Sequence, residues 1–151
     1  MKELEDMNKQ RGRLPEYKNP ALVFVYGSLK KGFRNNKVLG DSKYVGTFKT
    51  TTKFKMLDLG YYPALMLDDV GGNVVLGELY EVSGDTFERL DQLEGYPHMY
   101  DRDIITLSNG SKAWVYFMKK DNYNATADLV EPNKGGLLIW TEKPLQNRRT
   151  I

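Results

Sequence analysis

Glu94 is the group in this sequence placed to do acid–base chemistry. It closes the segment Asp85 to Glu94, which the residue pattern predicts to be a helix. Ser83 or Asp85 can cap the start, Glu88 stands three residues after Asp85 as in a capping box, and Gly95 followed by Pro97 stops it. On a wheel of about 100° per residue with Phe87 at zero, Leu90 falls at about 300°, Leu93 at about 240° and Glu94 at about 340°. Glu94 therefore shares the apolar face, while Glu88, Arg89 and Gln92 point to solvent and Asp91 sits on the border. A charged carboxylate buried without a partner costs several kcal/mol, so Glu94 should be paired, protonated or facing a cavity. The competing reading is that it frays outward at the last turn beside Gly95.

The stretch LVFVYGSLKKGF, Leu22 to Phe33, carries the second candidate. Its apolar, partly β-branched start reads as a buried strand that delivers a turn at Tyr26, Gly27 and Ser28. Gly27 removes bulk where the backbone leaves the strand, and Ser28 offers a hydroxyl and an N–H, a common way to build a donor-lined anion pocket. A plain strand followed by a solvated turn fits the same residues. A phosphate-binding loop does not, because Phe33 and Arg34 stand where that motif needs Lys and Ser or Thr. In the run Tyr96 to Arg102, His98 is expected on an exposed turn, and Arg102 in a surface pair with Asp101, Asp103 or Glu94. Tyr116 alternates with Val115 and Phe117, which makes it either core or the wall of a pocket.

These groups need a scaffold, and the pattern predicts one rich in strands. Tyr44–Phe48, Lys53–Leu59, Ala64–Leu67 and Val74–Val82 read as strands. Ile104–Leu107 and Lys112–Met118 flank Asn109-Gly110, the strongest short hairpin signal in the chain. Phe33 to Leu39 is expected to be a short helix, and the apolar cluster Leu137 to Trp140 to bring the C-terminal segment back onto the body. At 151 residues and 40% hydrophobic content the chain suits one domain. A net charge of +2 gives no footprint for nucleic acid or an acidic membrane. No cysteine means no thiolate nucleophile and no thiolate metal site, and the single histidine, His98, argues against a His-rich metal centre or a Ser-His-Asp triad. Residues 1–13 are charged, without an apolar core, so neither a signal peptide nor a membrane span is expected, and the protein should be intracellular.

Taken together, VFVYGSLKKG, YYPALML, GELYEV and LDQLEGYPHMYDR with its following hairpin resemble the gamma-glutamylcyclotransferase-like superfamily, and within it the avirulence-induced-gene-like branch that includes gamma-glutamylamine cyclotransferase. The likeness spans roughly Leu22 to Met118. It implies an α+β fold, a small mixed and mostly antiparallel β-barrel with flanking helices. It also implies release of 5-oxoproline from a small gamma-glutamyl substrate, with no cofactor or metal, in a cytoplasmic protein that is a monomer or weak homodimer. Carried over by position, the catalytic glutamate is Glu94, the substrate-cradling turn is Tyr26, Gly27, Ser28 and Leu29, and Tyr100 and Tyr116 line the pocket. The expected division is an N-terminal extension over 1–20, the domain over 21–118 and a docked C-terminal segment over 119–151, with Trp140 folding over the pocket rim. A non-catalytic module that binds a small metabolite in the same pocket is the alternative.

Overall fold

β1 (Ala21–Val25) lies in the middle of the larger sheet because almost nothing in it can face water: Val23, Phe24 and Val25 are all buried. The computed structural model describes residues 20–68, 70–119 and 127–142. The expected N-terminal extension therefore lies outside the described residues, apart from Pro20, as do 120–126 and 143–151 of the C-terminal segment.

β1 runs antiparallel to β5 (Val74–Val82), pairing Ala21 with Val82 through to Val25 with Glu78. Its other edge runs parallel to β7 (Lys112–Met118), where Val23 pairs with Trp114. β2 (Lys43–Lys49) and β6 (Tyr100–Thr106) complete the order β2-β5-β1-β7-β6. β6 and β7 form the hairpin anticipated at Asn109-Gly110, where Gly110 has a φ of 88°. That left-handed conformation is open to glycine without a Cβ clash.

A second sheet holds β3 (Phe54–Asp58) between β4 (Pro63–Leu67) and β8 (Asp128–Leu129). β9 (Leu137–Leu138) pairs parallel with Val74 and Val75 of β5. The pairing is thus mixed and mostly antiparallel, as expected, and the antiparallel bridge between Thr50 and Leu107 joins the ends of the edge strands β2 and β6, so the larger sheet curls back on itself, with the smaller sheet bridged to it at Phe54 and Asn73. Among the described residues the flanking helices are α1 (Gly84–Glu94) and a 3-10 turn at Asn36–Leu39, shorter than the helix expected from Phe33.

β6 begins four residues before the predicted strand. Tyr100 and Arg102 both point inward, so the inward-facing row opens with a phenol and a cation, and hydropathy alone reads that row as a turn.

The C-terminal return is held by more than β9. Lys30 is buried, and its Nζ donates to the Trp140 carbonyl at 2.8 Å, while burial pulls its pKa down. Trp140 is 3% exposed and packs with Phe24, Tyr26 and Leu138 in the core. It does not cover the pocket rim as anticipated, because its large apolar surface is better spent in that core. Among the described residues, no helix is long and apolar enough to cross a membrane.

Candidate active site

α1 starts where Ser83, in extended conformation, accepts the Thr86 N–H at 3.1 Å. Ser83 is therefore the cap, one residue ahead of the helix, and the alternative cap at Asp85 lies inside the first turn. The helix stops because Gly95 takes a left-handed φ of 66°, and the N–H groups of Gly95 and Tyr96 close back on the carbonyls of Gln92 and Asp91. Glu94 is thus the last helical residue. It is partly buried, and among the described residues no protein group hydrogen-bonds or ion-pairs with its carboxylate. Phe87 and Leu90 fill the core, while Leu93, placed by periodicity on the same face, is 43% exposed.

Glu94 opens onto a cavity of about 460 Å³ between α1, the turn after β1 and the start of β4. Tyr26, Gly27, Ser28, Leu29, Tyr100 and Tyr116 line the same cavity. Burial pushes the Glu94 carboxyl up to about 7. Burial also raises the phenols of Tyr26, Tyr100 and Tyr116, and the nearby Glu94 charge adds to each.

The phenolic protons are already committed. Tyr26 donates to the Tyr116 carbonyl at 2.7 Å, Tyr100 to the Pro63 carbonyl at 2.9 Å and Tyr116 to Asp91 Oδ1 at 2.6 Å. Tyr100 and Tyr116 can therefore present oxygen lone pairs to a ligand, beside the carboxylate of Glu94. The turn after β1 offers the opposite polarity. Lys30 N–H bonds the Gly27 carbonyl at 3.0 Å, and Asn35 pins Ser28 twice, through its N–H to the Ser28 carbonyl and its Nδ2 to Ser28 Oγ. The Ser28 and Leu29 N–H groups have no acceptor among the described residues, which leaves them for a ligand.

Gly27 earns its place by packing as well as by chain direction. A Cβ there would lie 2.7 Å from Pro63 Cγ and 2.8 Å from Cδ. Gly27→Val should therefore push β4 off the turn and displace the Pro63 carbonyl that anchors Tyr100. We expect a stability loss of about 1–3 kcal/mol together with weakened substrate affinity, read by thermal melting and by KM. Unchanged KM in a folded variant would show that the turn does not contact substrate.

Behind the cavity sits a buried ion pair that the sequence does not announce. Arg102 has no exposed side-chain surface, and its Nε and Nη2 reach Asp91 Oδ1 and Oδ2 at 2.9 and 3.2 Å. The guanidinium is stacked among Tyr96, Trp114 and Phe87, 4.1, 4.8 and 5.0 Å from their ring centres. This replaces the surface pairing expected for Arg102. The single carboxylate of Asp91 holds both Arg102 and the Tyr116 hydroxyl. His98 is exposed, as anticipated.

The rim also holds residues with no expected role at the site. Arg34 N–H and Nε donate to Glu142 at 3.0 and 3.1 Å, and its guanidinium lies 4.8 Å from the Tyr61 ring centre. Glu142, rather than Trp140, is the C-terminal contact at the rim. Tyr61, Tyr62, Leu93 and Met99 complete the mouth. All four lie within the segments YYPALML and LDQLEGYPHMYDR, but nothing in those segments shows that they converge on one opening.

The profile of the family described as "Gamma-glutamyl cyclotransferase, AIG2-like" matches residues 23–135. A Vibrio cholerae protein, provisionally named a gamma-glutamylcyclotransferase, is 40% identical over 99 residues, covering 66% of this chain and 83% of that protein. The gamma-glutamylaminecyclotransferase of Rattus norvegicus is 38% identical over 92 residues, 56% of this chain and 62% of the rat protein. The crystal structure of an AIG2-like protein from Mus musculus superposes with a TM-score of 0.61 at 26% identity, covering 87% of this chain and all of the mouse chain (100%).

Proposed function

The chain belongs to the AIG2-like gamma-glutamyl cyclotransferase family and is an enzyme of that type, and on that premise we propose that it releases 5-oxoproline and a free amine from a small gamma-glutamyl compound, with Glu94 as general acid and base. One observation carries the assignment: a carboxylate partly buried and without a partner among the described residues, its pKa raised to about 7, faces a cavity whose far turn offers N–H groups with no acceptor among those residues.

In this reading the Glu94 carboxylate and the oxygen lone pairs of Tyr100 and Tyr116 receive the substrate's α-ammonium. The Ser28 and Leu29 N–H groups receive its α-carboxylate or the oxyanion that develops at the γ-carbonyl. Glu94 takes a proton from the ammonium. The freed amine attacks the γ-carbonyl carbon, closing a five-membered lactam through a tetrahedral intermediate. The C–N bond to the leaving amine then breaks as Glu94 returns the proton to that nitrogen, and the second proton of the attacking nitrogen passes by the same carboxylate to the released amine, which leaves as an ammonium, so atoms and charge balance without water. A group with a pKa near 7 exchanges protons in both directions at neutral pH, which suits this double task. Holding the chain folded for attack on itself supplies an effective molarity on the order of 10⁵–10⁸ M, so positioning carries much of the rate. The rat relative's name points to gamma-glutamylamines as the substrate class.

The test is 5-oxoproline release from gamma-glutamyl amides and dipeptides by the purified protein. Stoichiometric release of 5-oxoproline and amine is expected. Binding of these compounds by the folded protein without release would instead favour a metabolite-binding module built on the same cavity.

A further inference from the structure

We infer that the mouth of the cavity is a subsite for an apolar, preferably aromatic, leaving amine. This rests on the proposed reaction. Four large apolar side chains stand there about half exposed: Tyr61 at 49%, Tyr62 at 47%, Leu93 at 43% and Met99 at 51%. They come from the β3–β4 turn, the end of α1 and the turn that follows it, yet all line the cavity that holds Glu94. Singly exposed apolar residues are ordinary, whereas a convergent set at the mouth of a cleft marks a surface that is covered in use.

The electrostatics select among occupants. Glu94 is the one carboxylate lining the cavity among the described residues, and the reaction occupies it; Glu142 at the rim is already paired with Arg34, so among the described residues no free carboxylate at the mouth meets a second ammonium. Arg34 is the one lining Lys or Arg among the described residues, and its charge is already met by Glu142. Its guanidinium lies against Tyr61, which braces the aromatic wall and leaves little net charge to favour a carboxylate. Size agrees: a gamma-glutamyl group has about ten non-hydrogen atoms, whereas cavities of several hundred Å³ take drug-sized ligands. The remaining room lies toward the apolar rim.

The experiment compares gamma-glutamyl phenethylamide, ethylamide, ε-lysine and phenylalanine as substrates. Dissociation constants of the same four are measured on the Glu94→Gln protein, which should bind without consuming them. The phenethylamide should exceed the ethylamide, ε-lysine and phenylalanine compounds at least tenfold in kcat/KM, with the gain in KM, and should bind Glu94→Gln at least tenfold tighter. Leu93→Ser and Met99→Ser should each bring the phenethylamide-to-ethylamide ratio toward one. A flat panel, or preference for the lysine or phenylalanine compound, would overturn the subsite while leaving the reaction standing. Native protein that turns over none of the four would overturn the reaction, and the binding ratio would still decide the subsite.

Discussion

Glu94→Gln should abolish 5-oxoproline release and, above pH 7, melt at a temperature no lower than the wild type. The two halves have one cause. The folded protein holds the Glu94 carboxyl up to about 7, against an ordinary value of 4.5, because burial disfavours its charged form. Between these pH values the folded state binds more protons than the unfolded state, so Glu94 makes stability fall as pH rises through that window. Below the lower value the wild type carries no penalty; above the higher one it carries the full cost of a partly buried charge. That cost is on the order of 2–3 kcal/mol once partial exposure is allowed for. Gln cannot ionise, so the difference in melting temperature between variant and wild type should shift in favour of the variant from pH 5 to pH 8. Activity runs the other way: kcat/KM of the wild type should decline below about pH 7 as the base becomes protonated. Substantial turnover by folded Glu94→Gln would remove Glu94 from the chemistry. A pH-independent difference in melting temperature would show that the carboxylate is solvated.

Arg102→Met should destabilise the protein by about 3–5 kcal/mol, the usual cost of removing one member of a buried ion pair. The magnitude follows from the surroundings. Asp91 is 13% exposed at its side chain, and Arg102 supplies two of the hydrogen bonds to its carboxylate. The variant would leave that largely buried charge with the Tyr116 hydroxyl as its remaining hydrogen-bond donor among the described residues. Methionine retains much of the stacking on Tyr96, Trp114 and Phe87, so the loss reports mainly the stranded carboxylate. Adding Asp91→Asn should therefore recover part of the stability, giving a coupling of at least about 1 kcal/mol in a double-mutant cycle followed by urea unfolding. Additive losses would mean that the two side chains act independently. Because Asp91 also holds Tyr116 on the cavity wall, the single variant should lower kcat/KM even where it remains folded.

What was legible in the sequence was local. The hairpin at Asn109-Gly110, the stop at Gly95 and the buried character of β1 each depend on backbone preferences within a few residues, which single residues reveal. The position of Glu94 on the inner side of α1 follows from helical periodicity in the same way. Where expectation failed, neighbours distant in the chain decided. β6 begins at Tyr100 because Trp114 and Tyr96 stack on Arg102 and Asp91 neutralises it, so a residue that hydropathy assigns to solvent sits inside. Leu93 is apolar and periodic yet exposed, because it stands at the mouth of the cavity and not under a packed layer of the described residues.

By itself, then, the sequence determined most of the strands, the helix α1 with its terminal acid and the glycine turn after β1, since each is set by short-range sterics and the alternation of apolar residues. Tertiary structure alone decided that a carboxylate buried enough to titrate near 7 would meet three phenols whose protons are spent elsewhere. It also decided that Glu142, 108 residues from Arg34, would neutralise the cation at the mouth. Desolvation and charge pairing depend on which surfaces meet in space, and that is a property of the packed chain as a whole.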